Sequence, residues 1–226
     1  MNSNRFKKLR PLLIFFVVFT AIVLTVFYQL LSVDKRLKVY SPSDINPRLV
    51  DASVKHIQNN HTIADFSLIN QNGETITNAT YNGKIYIADF FFTRCKTICI
   101  AMAYNMSELQ SYYKNDVDIM FLSHSVTPVM DSVSVLKTYA ENKGVVDGKW
   151  HITTGDKKHI YALARKSYFA VLEDGDGGVD DFIHTENFVL IDKKRRIRGI
   201  YDGTDREKMQ RIIEDIALLK EEYKRE

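Results

Sequence analysis

The amino-acid sequence predicts an α/β fold with a mixed β-sheet flanked by helices, preceded by one N-terminal transmembrane helix. Three features lead to this prediction: an uncharged apolar segment near the N-terminus, strands that alternate with helices after it, and a β-hairpin followed by a last helix. The 226 residues are 45% hydrophobic and 26% charged, which is typical of a globular protein and excludes disordered and collagen-like classes.

The N-terminal apolar segment is predicted to be a membrane anchor. Residues 11–33 carry no charge, and residues 12–31 are almost wholly apolar. A helix of about 20 residues is long enough to cross a hydrocarbon core of about 30 Å. The apolar run is longer than that of a cleavable signal peptide, and no A-x-A-like cleavage site follows it. We therefore expect an uncleaved anchor at residues 11–33.

Charge is unevenly distributed along the chain. Of its 31 basic residues, four lie in the first 33 positions with no acid among them, which leaves 27 bases against 28 acids in the rest. A protein that binds nucleic acid keeps its positive charge on the folded domain, so this class is excluded. The basic residues predict a cytoplasmic tail at residues 1–10. The protein is then a single-pass protein of the cell (inner) membrane with a periplasmic or otherwise extracytoplasmic domain.

Beyond the anchor, the composition separates a linker from a domain. Residues 34–58 mix charges with two prolines and are predicted to be a linker, whereas residues 59–226 are predicted to form the globular domain. The domain begins with a predicted hairpin, because the alternating apolar segments 63–69 and 74–77 flank the turn sequence Asn72-Gly73.

The strongest strand is predicted at residues 84–92, which are dense in β-branched and aromatic side chains and suited to burial on both faces. It leads into a helix that ends near residue 113. The other predicted elements are a strand at 117–126, a helix at 131–142, a strand at 150–154, a helix at 157–168, a hairpin of strands 188–191 and 197–201, and a helix at 205–223. This order predicts a single α/β domain.

Both cysteines of the chain lie directly after the strongest strand, where the helix begins. A helix N-terminus favours thiolate over thiol, and Arg94 and Lys96 on either side of Cys95 act in the same direction. At this junction Cys95 and Cys99 can converge on one metal ion or form a disulfide. A purely structural disulfide would close a loop of three residues and stabilise the fold weakly. A chemical role is therefore the better explanation.

Two thiolates make an incomplete metal site, for which imidazole is the usual third ligand. Among the six histidines, His184 is the first candidate, because it lies between an acidic glycine-containing loop and the strand at 188–191. His124, at the end of a predicted strand, is the second candidate. Soft sulfur ligands select Cu(I), zinc or iron–sulfur clusters. Two cysteines and one histidine are too few for a cluster or a structural zinc site, whereas a three-coordinate site suits copper and its release to a recipient.

These features together resemble the SCO/SenC family. The matching stretches are ADFFFTRC at 88–95, LSHSV at 122–126, TGD at 154–156 and HTENFVLID at 184–192, with the histidine about 85 residues after the second cysteine. The resemblance implies a thioredoxin-like domain in a membrane-anchored, copper-binding protein that assists assembly of the copper site of cytochrome c oxidase. By position, it implies that Cys95, Cys99 and His184 bind copper, as Cu(I) or Cu(II).

The chain departs from the family pattern near the cysteines. Lys96 and Ile100 stand where the family usually has proline, so Lys96 removes a restriction on φ and adds a cation. The acidic family stretch V-D-P-E-R-D is replaced by VTPVMD at residues 126–131, which keeps the valine, the proline and the final aspartate.

Two functions are consistent with these residues and with the resemblance. The first is a metallochaperone, not an enzyme, that delivers copper to a cytochrome c oxidase subunit. The second is a thiol–disulfide oxidoreductase in which Cys95 and Cys99 reduce cysteines of the oxidase copper site or of another extracytoplasmic partner. His184 and the three-residue spacing favour the first, because redox pairs usually read C-x-x-C. Both functions require a thiol reductant, and residues 11–33 would contact membrane lipid.

Overall fold

The computed structural model describes residues 3–31, 36–51, 53–57, 60–171, 178 and 182–225, and it divides the chain into two compact units, Met1–Arg36 and Leu37–Glu226. The first unit contains helix α1, Ser3–Leu31, which begins in the basic segment and has Pro11 inside it. Its window Arg10–Phe27 is the one candidate membrane span in the described part of the chain, and none of that window is buried.

The second unit contains a mixed sheet of seven strands in the described residues. The strands are β1 (Ser67–Asn70), β2 (Thr75–Thr77), β3 (Ile85–Phe91), β4 (Ile119–Ser125), β5 (Trp150–Thr154), β6 (Asn187–Ile191) and β7 (Ile197–Asp202). Their spatial order is β2-β1-β5-β4-β3-β6-β7. β3, β4 and β5 are parallel neighbours, and the remaining pairs are antiparallel. The predicted α/β fold with a mixed sheet is confirmed.

The predicted hairpin is present as β1 and β2. Leu68 lies opposite Ile76 in the antiparallel register. The Asn70 side-chain oxygen accepts hydrogen bonds from the backbone N–H groups of Asn72 and Glu74, both at 2.9 Å. Gly73 adopts a φ of +79°, a conformation that glycine takes without steric cost. Local turn chemistry therefore sets this register.

The α-helices among the described residues of this unit are α2 (Ile98–Tyr112), α3 (Val133–Lys143), α4 (Lys157–Ala162) and α5 (Arg206–Arg225). The predicted helix at 157–168 differs from the structure, because α4 ends at Ala162 and Leu163–Ser167 form a wider π-helical turn. Four of the five residues in this turn are buried, whereas a regular amphipathic helix would turn one face toward solvent. Tertiary packing thus overrides the helical pattern here.

Both faces of the central strand β3 are covered, as its apolar sequence predicts. Tyr86 and Phe90 belong to one core cluster, which also includes the hairpin and α4. Ile87 and Phe91 belong to the other, together with α2, α3 and α5. Alternate residues of a strand point to opposite faces, so one continuous apolar run supplies both cores.

Part of the predicted linker packs on the domain. Ile45 and Val50 are buried in the first core cluster, and Tyr40 forms an isolated antiparallel bridge with Ile197. The side chain of Arg198 is 2% exposed and donates hydrogen bonds to the carbonyl oxygens of Leu37 and Lys38. The segment that follows Arg36 is therefore tied to β7.

Replacing Arg198 with alanine is expected to lower the free energy of unfolding by about 3–5 kcal/mol. Its guanidinium is 3.0 Å from Asp192 Oδ2 and 2.6 Å from Glu222 Oε2. The substitution leaves the partly buried Glu222 without its cation and the fully buried Asp192 with Arg196 as its one described cationic partner, and it also removes the hydrogen bonds to Leu37 and Lys38. Denaturant unfolding of the detergent-solubilised chain measures the change. Lys224→Ala is the control, because its pair with Glu221 is exposed and screened by solvent, so its loss is expected to leave stability almost unchanged. Equal effects of the two substitutions would contradict the prediction.

Candidate metal and thiol site

The two cysteines lie where β3 leads into α2: Cys95 is on the connecting loop, residues 92–97, hereafter the site loop, and Cys99 follows it in the helix. The backbone N–H of Cys95 donates to the carbonyl oxygen of Phe92 at 3.2 Å, which closes a turn at the end of β3. Cys99 lies in the first turn of α2, whereas Cys95 precedes the helix. Cys95 is partly exposed, and Cys99 is 5% exposed. The strand end therefore presents one accessible and one buried thiol.

The environments of the two thiols shift their pKa values in opposite directions. Partial burial opposes ionisation of Cys95, but hydrogen bonds with the Cys99 thiol and with the Thr97 backbone and hydroxyl outweigh it and lower the pKa of Cys95. The Cys95 sulfur lies 3.6 Å from Thr97 Oγ1. Burial, followed by the hydrogen bond with Cys95, raises the pKa of Cys99 to about 12. Hydrogen bonds are therefore the main cause of the lowered pKa of Cys95. The sequence had instead suggested the charges of Arg94 and Lys96 as a cause.

A buried carboxyl group, Asp89 on β3, lies on the same side of the sheet as Cys99. It is 3% exposed, and its Oδ1 atom has no hydrogen-bond partner. Burial raises the pKa of Asp89 to about 7, although a hydrogen bond with Ser123 opposes the shift. The charge of Asp89 contributes to the raised pKa of Cys99. A charged residue inside an otherwise apolar strand was the sequence signal that could have singled it out.

His184 lies on the segment that enters β6, at the same end of the sheet as the site loop. β3 and β6 are antiparallel, with Ala88 opposite Val189, so the end of β3 is beside the beginning of β6. The rings of Phe92 and Phe182 are 5.1 Å apart between centroids and connect the site loop with this segment. His184 itself is exposed.

The residues on either side of His184 hold its backbone in place. Ile183 is 1% exposed and Thr185 is 5% exposed. The Thr185 hydroxyl donates a hydrogen bond to the carbonyl oxygen of Ala170, which also accepts one from Asn187 Nδ2 at 2.8 Å. The exposed imidazole therefore extends from an anchored segment.

The structure does not bring the three predicted ligands into one coordination cluster. Among the described residues, no group of three or more His, Cys, Asp and Glu side chains is close enough to hold a metal ion. The two thiols are hydrogen-bonded to each other, and His184 lies at the same end of the sheet without completing such a group with them.

His124, the second candidate ligand, is inside the protein core. It is fully buried, burial lowers its pKa to about 3, and its Nδ1 atom is 2.9 Å from Thr153 Oγ1. On β4 it alternates with Ser123 and Ser125 and packs against the rings of Phe90 and Tyr168, on the opposite side of the sheet from Cys99. This location removes His124 from the candidate ligands.

A largely apolar groove of about 670 Å³ opens beside the site loop. Phe92 and Arg94 of the loop form one part of its lining, and residues 126–130, Tyr161 and Phe182 form others. Val129 is 91% exposed at its edge. A molecule in this groove would lie next to the residue that precedes Cys95.

The chain is similar to known proteins over most of its length. The model of a family described as SCO1/SenC matches residues 54–221. The chain belongs to the SCO1/SenC family. A SCO1 protein homolog of Bacillus subtilis (strain 168) is 31% identical to this SCO1/SenC chain over 159 residues, which is 70% of the chain and 82% of the relative.

Solved structures of SCO1/SenC relatives confirm the thioredoxin-like fold. BsSco is described as a member of the Sco family of cytochrome c oxidase assembly proteins in which a disulfide switch was identified. Its structure is 30% identical in sequence to this chain, with a TM-score of 0.61, and the match covers 71% of this chain and 94% of BsSco. Yeast Sco1 with copper bound is 21% identical with a TM-score of 0.54, covering 70% and 90%, and at this identity it supports the fold alone.

The buried carboxyl of Asp89 makes stability depend on pH. Because its pKa is about 7 in the folded state and 3.8 without burial, the folded chain binds more protons between these values. Its contribution to stability therefore falls as pH rises from about 4 to 7, by up to about 1.4 kcal/mol per pH unit. Asp89→Asn is expected to raise the melting temperature at pH 8 and to lose this advantage near pH 4.

Thermal unfolding of both proteins across this pH range tests the prediction. Glu108→Gln removes an exposed carboxyl of α2 and is expected to keep the wild-type pH dependence. An Asp89→Asn protein with the same pH dependence as the wild type would contradict the assignment.

Proposed function

We propose that this SCO1/SenC protein is a copper chaperone that binds one copper ion through Cys95, Cys99 and His184 and delivers it to a cytochrome c oxidase subunit during assembly. The observation that carries the proposal is the hydrogen-bonded thiol pair at the end of β3, beside the segment that bears an exposed His184. Two soft sulfur atoms and one imidazole are a donor set suited to copper.

The description of a relative supports this proposal. BsSco, which is 30% identical to this chain, belongs to the Sco family of cytochrome c oxidase assembly proteins. Copper is here a cargo, so the site has to release it. Three protein ligands leave a position open for a ligand of the recipient, and the exposure of Cys95 and His184 lets that recipient approach.

The contrast between the two thiols supports a second function, thiol–disulfide exchange. The Cys95 thiolate would attack a partner disulfide, form a mixed disulfide and release one partner thiolate. After Cys99 loses its proton, its sulfur would attack Cys95 and release the second partner thiolate. The partner becomes a dithiol and the Cys95–Cys99 pair a disulfide, which a thiol reductant then reduces. BsSco, a relative that is 30% identical to this chain, is described as having a disulfide switch, which supports this second function.

The proposed location follows from α1 and its flanking charge. Residues 11–33 anchor the protein in the cell membrane, with the basic residues 1–10 in the cytoplasm and the domain that bears the thiols outside it. A thiol reductant is then a required partner, because exposed thiol pairs become oxidised in such compartments.

Copper stoichiometry of the reduced, detergent-solubilised chain tests the chaperone function. We expect one copper per chain, loss of binding in Cys95→Ser and Cys99→Ser, and an affinity lowered by about tenfold or more in His184→Ala. His56→Ala removes another exposed histidine and is expected to bind copper as the wild type does. If the wild type binds no copper but forms a reversible Cys95–Cys99 disulfide, the chaperone proposal is wrong and the redox function stands.

The reduced protein is expected to react with iodoacetamide at Cys95 at least about tenfold faster than at Cys99 near neutral pH. Cys95 is accessible with a lowered pKa, whereas Cys99 is buried with a raised pKa. Mass spectrometry of the labelled peptides over time measures both rates, and unfolded protein is the control in which the two rates converge. Equal rates in the folded protein would contradict the assignment of Cys95 as the attacking thiol.

A further inference from the structure

A buried carboxylate, Asp131, lies between the site loop and the end of β4. The chain reverses direction after β4, because the backbone N–H groups of Met130 and Asp131 both donate to the carbonyl oxygen of Thr127 at 2.9 Å. This turn returns Asp131 to the strand end, where it is fully buried.

The carboxylate of Asp131 joins two segments of the chain. From the site loop, the Thr93 hydroxyl donates to Oδ1 at 2.6 Å and the Thr93 backbone N–H donates to Oδ2 at 3.3 Å. From the end of β4, the Ser125 hydroxyl donates to Oδ2 at 2.5 Å and the Thr127 hydroxyl at 2.9 Å. All four donors are uncharged. Four hydrogen bonds thus converge on one buried carboxyl group, which holds the site loop and the end of β4 together.

These hydrogen bonds begin where the pairing of β3 with β4 ends. Phe91 lies opposite Ser125 in the last pair of the parallel register, and the N–H of Val126 donates to the carbonyl oxygen of Phe91 at 2.8 Å. Thr93 follows two residues later, inside the turn that the hydrogen bond from Cys95 N–H to the Phe92 carbonyl closes. The hydrogen bonds of Asp131 therefore extend the connection between β3 and β4 beyond the last strand pair, as far as the turn that contains Cys95.

We infer that Asp131, acting through Thr93, is the positioning residue that fixes Cys95 for its chemistry. The inference rests on the proposed function of Cys95. A metal ligand or nucleophile that is already held in place binds or reacts more effectively than one that must first become ordered. Lys96, at a position where proline would restrict the backbone, makes this side-chain restraint more important for the site loop.

A matched pair of substitutions at Thr93 separates positioning from general stabilisation. Thr93→Val keeps the shape of the side chain but removes the hydroxyl donor, whereas Thr93→Ser retains the donor. In a competition assay with a chromophoric chelator, we expect Thr93→Val to lower Cu(I) affinity by about tenfold and Thr93→Ser to restore it to within about threefold of the wild type. Asp131→Asn is expected to resemble Thr93→Val.

Hydrogen exchange of the Cys95 backbone amide provides a readout that does not depend on copper. We expect this exchange to be about tenfold faster in Thr93→Val than in the wild type and near wild type in Thr93→Ser. The control is Asp215→Asn, which alters another buried carboxylate that accepts a hydrogen bond from Tyr201 at 2.7 Å. It is expected to lower the melting temperature without changing either readout at Cys95.

The two readouts distinguish the failure of this inference from the failure of the proposed function. If the wild type binds no copper, the proposed chaperone function is wrong. Faster hydrogen exchange at Cys95 in Thr93→Val than in the wild type would still support the positioning role. If Asp131→Asn does not fold, the comparison of Thr93→Val with Thr93→Ser tests the inference. Folded Thr93→Val protein with wild-type exchange and Cu(I) affinity would overturn the inference, as would Thr93→Ser protein that behaves like Thr93→Val.

Discussion

The burial of β3 between two strands and two cores is the constraint on which the rest of the structure depends. Its pairing with parallel β4 and antiparallel β6 satisfies its backbone inside the protein and makes the end of β3 a meeting point for the ends of its neighbours. The site loop, the turn after β4 and the segment before β6 all emerge there. Residues far apart in the chain, Cys95, Asp131 and His184, consequently lie at one end of the sheet.

The same strand end gives the two thiols different properties. Cys99 enters the core with the first turn of α2 and loses contact with water, whereas Cys95 stays on the loop and accepts stabilising hydrogen bonds. Two chemically identical side chains therefore differ in reactivity: Cys95 is accessible with a lowered pKa, whereas Cys99 is buried with a raised pKa. The proposed disulfide exchange would use this difference between an attacking and a resolving thiol, and the proposed copper release would use the accessibility of Cys95.

Much of the fold could be predicted from local pattern. The uninterrupted apolar sequence of β3 indicated a strand buried on both faces, and Asn-Gly between alternating segments indicated the first hairpin, because turn chemistry and side-chain period act over a few residues. The end of α4 could not be predicted in this way, since the π-helical turn at Leu163–Ser167 depends on what packs around it. The packing of Ile45 and Val50 in the core could likewise not be predicted, because they lie in a segment whose charges and prolines are typical of a linker.

The sequence by itself determined the apolar N-terminal helix, the fold class and the clustering of the two cysteines after the strongest strand, because these depend on composition, period and spacing. Only the tertiary structure decided that His124 is in the core, that Asp89 is a buried acid near Cys99, and that Asp131 joins Thr93 to the end of β4. These facts depend on which face of a strand a residue occupies and on contacts between distant segments. Burial then sets the pKa values of His124 and Asp89, and it cannot be read from the neighbouring residues in the chain.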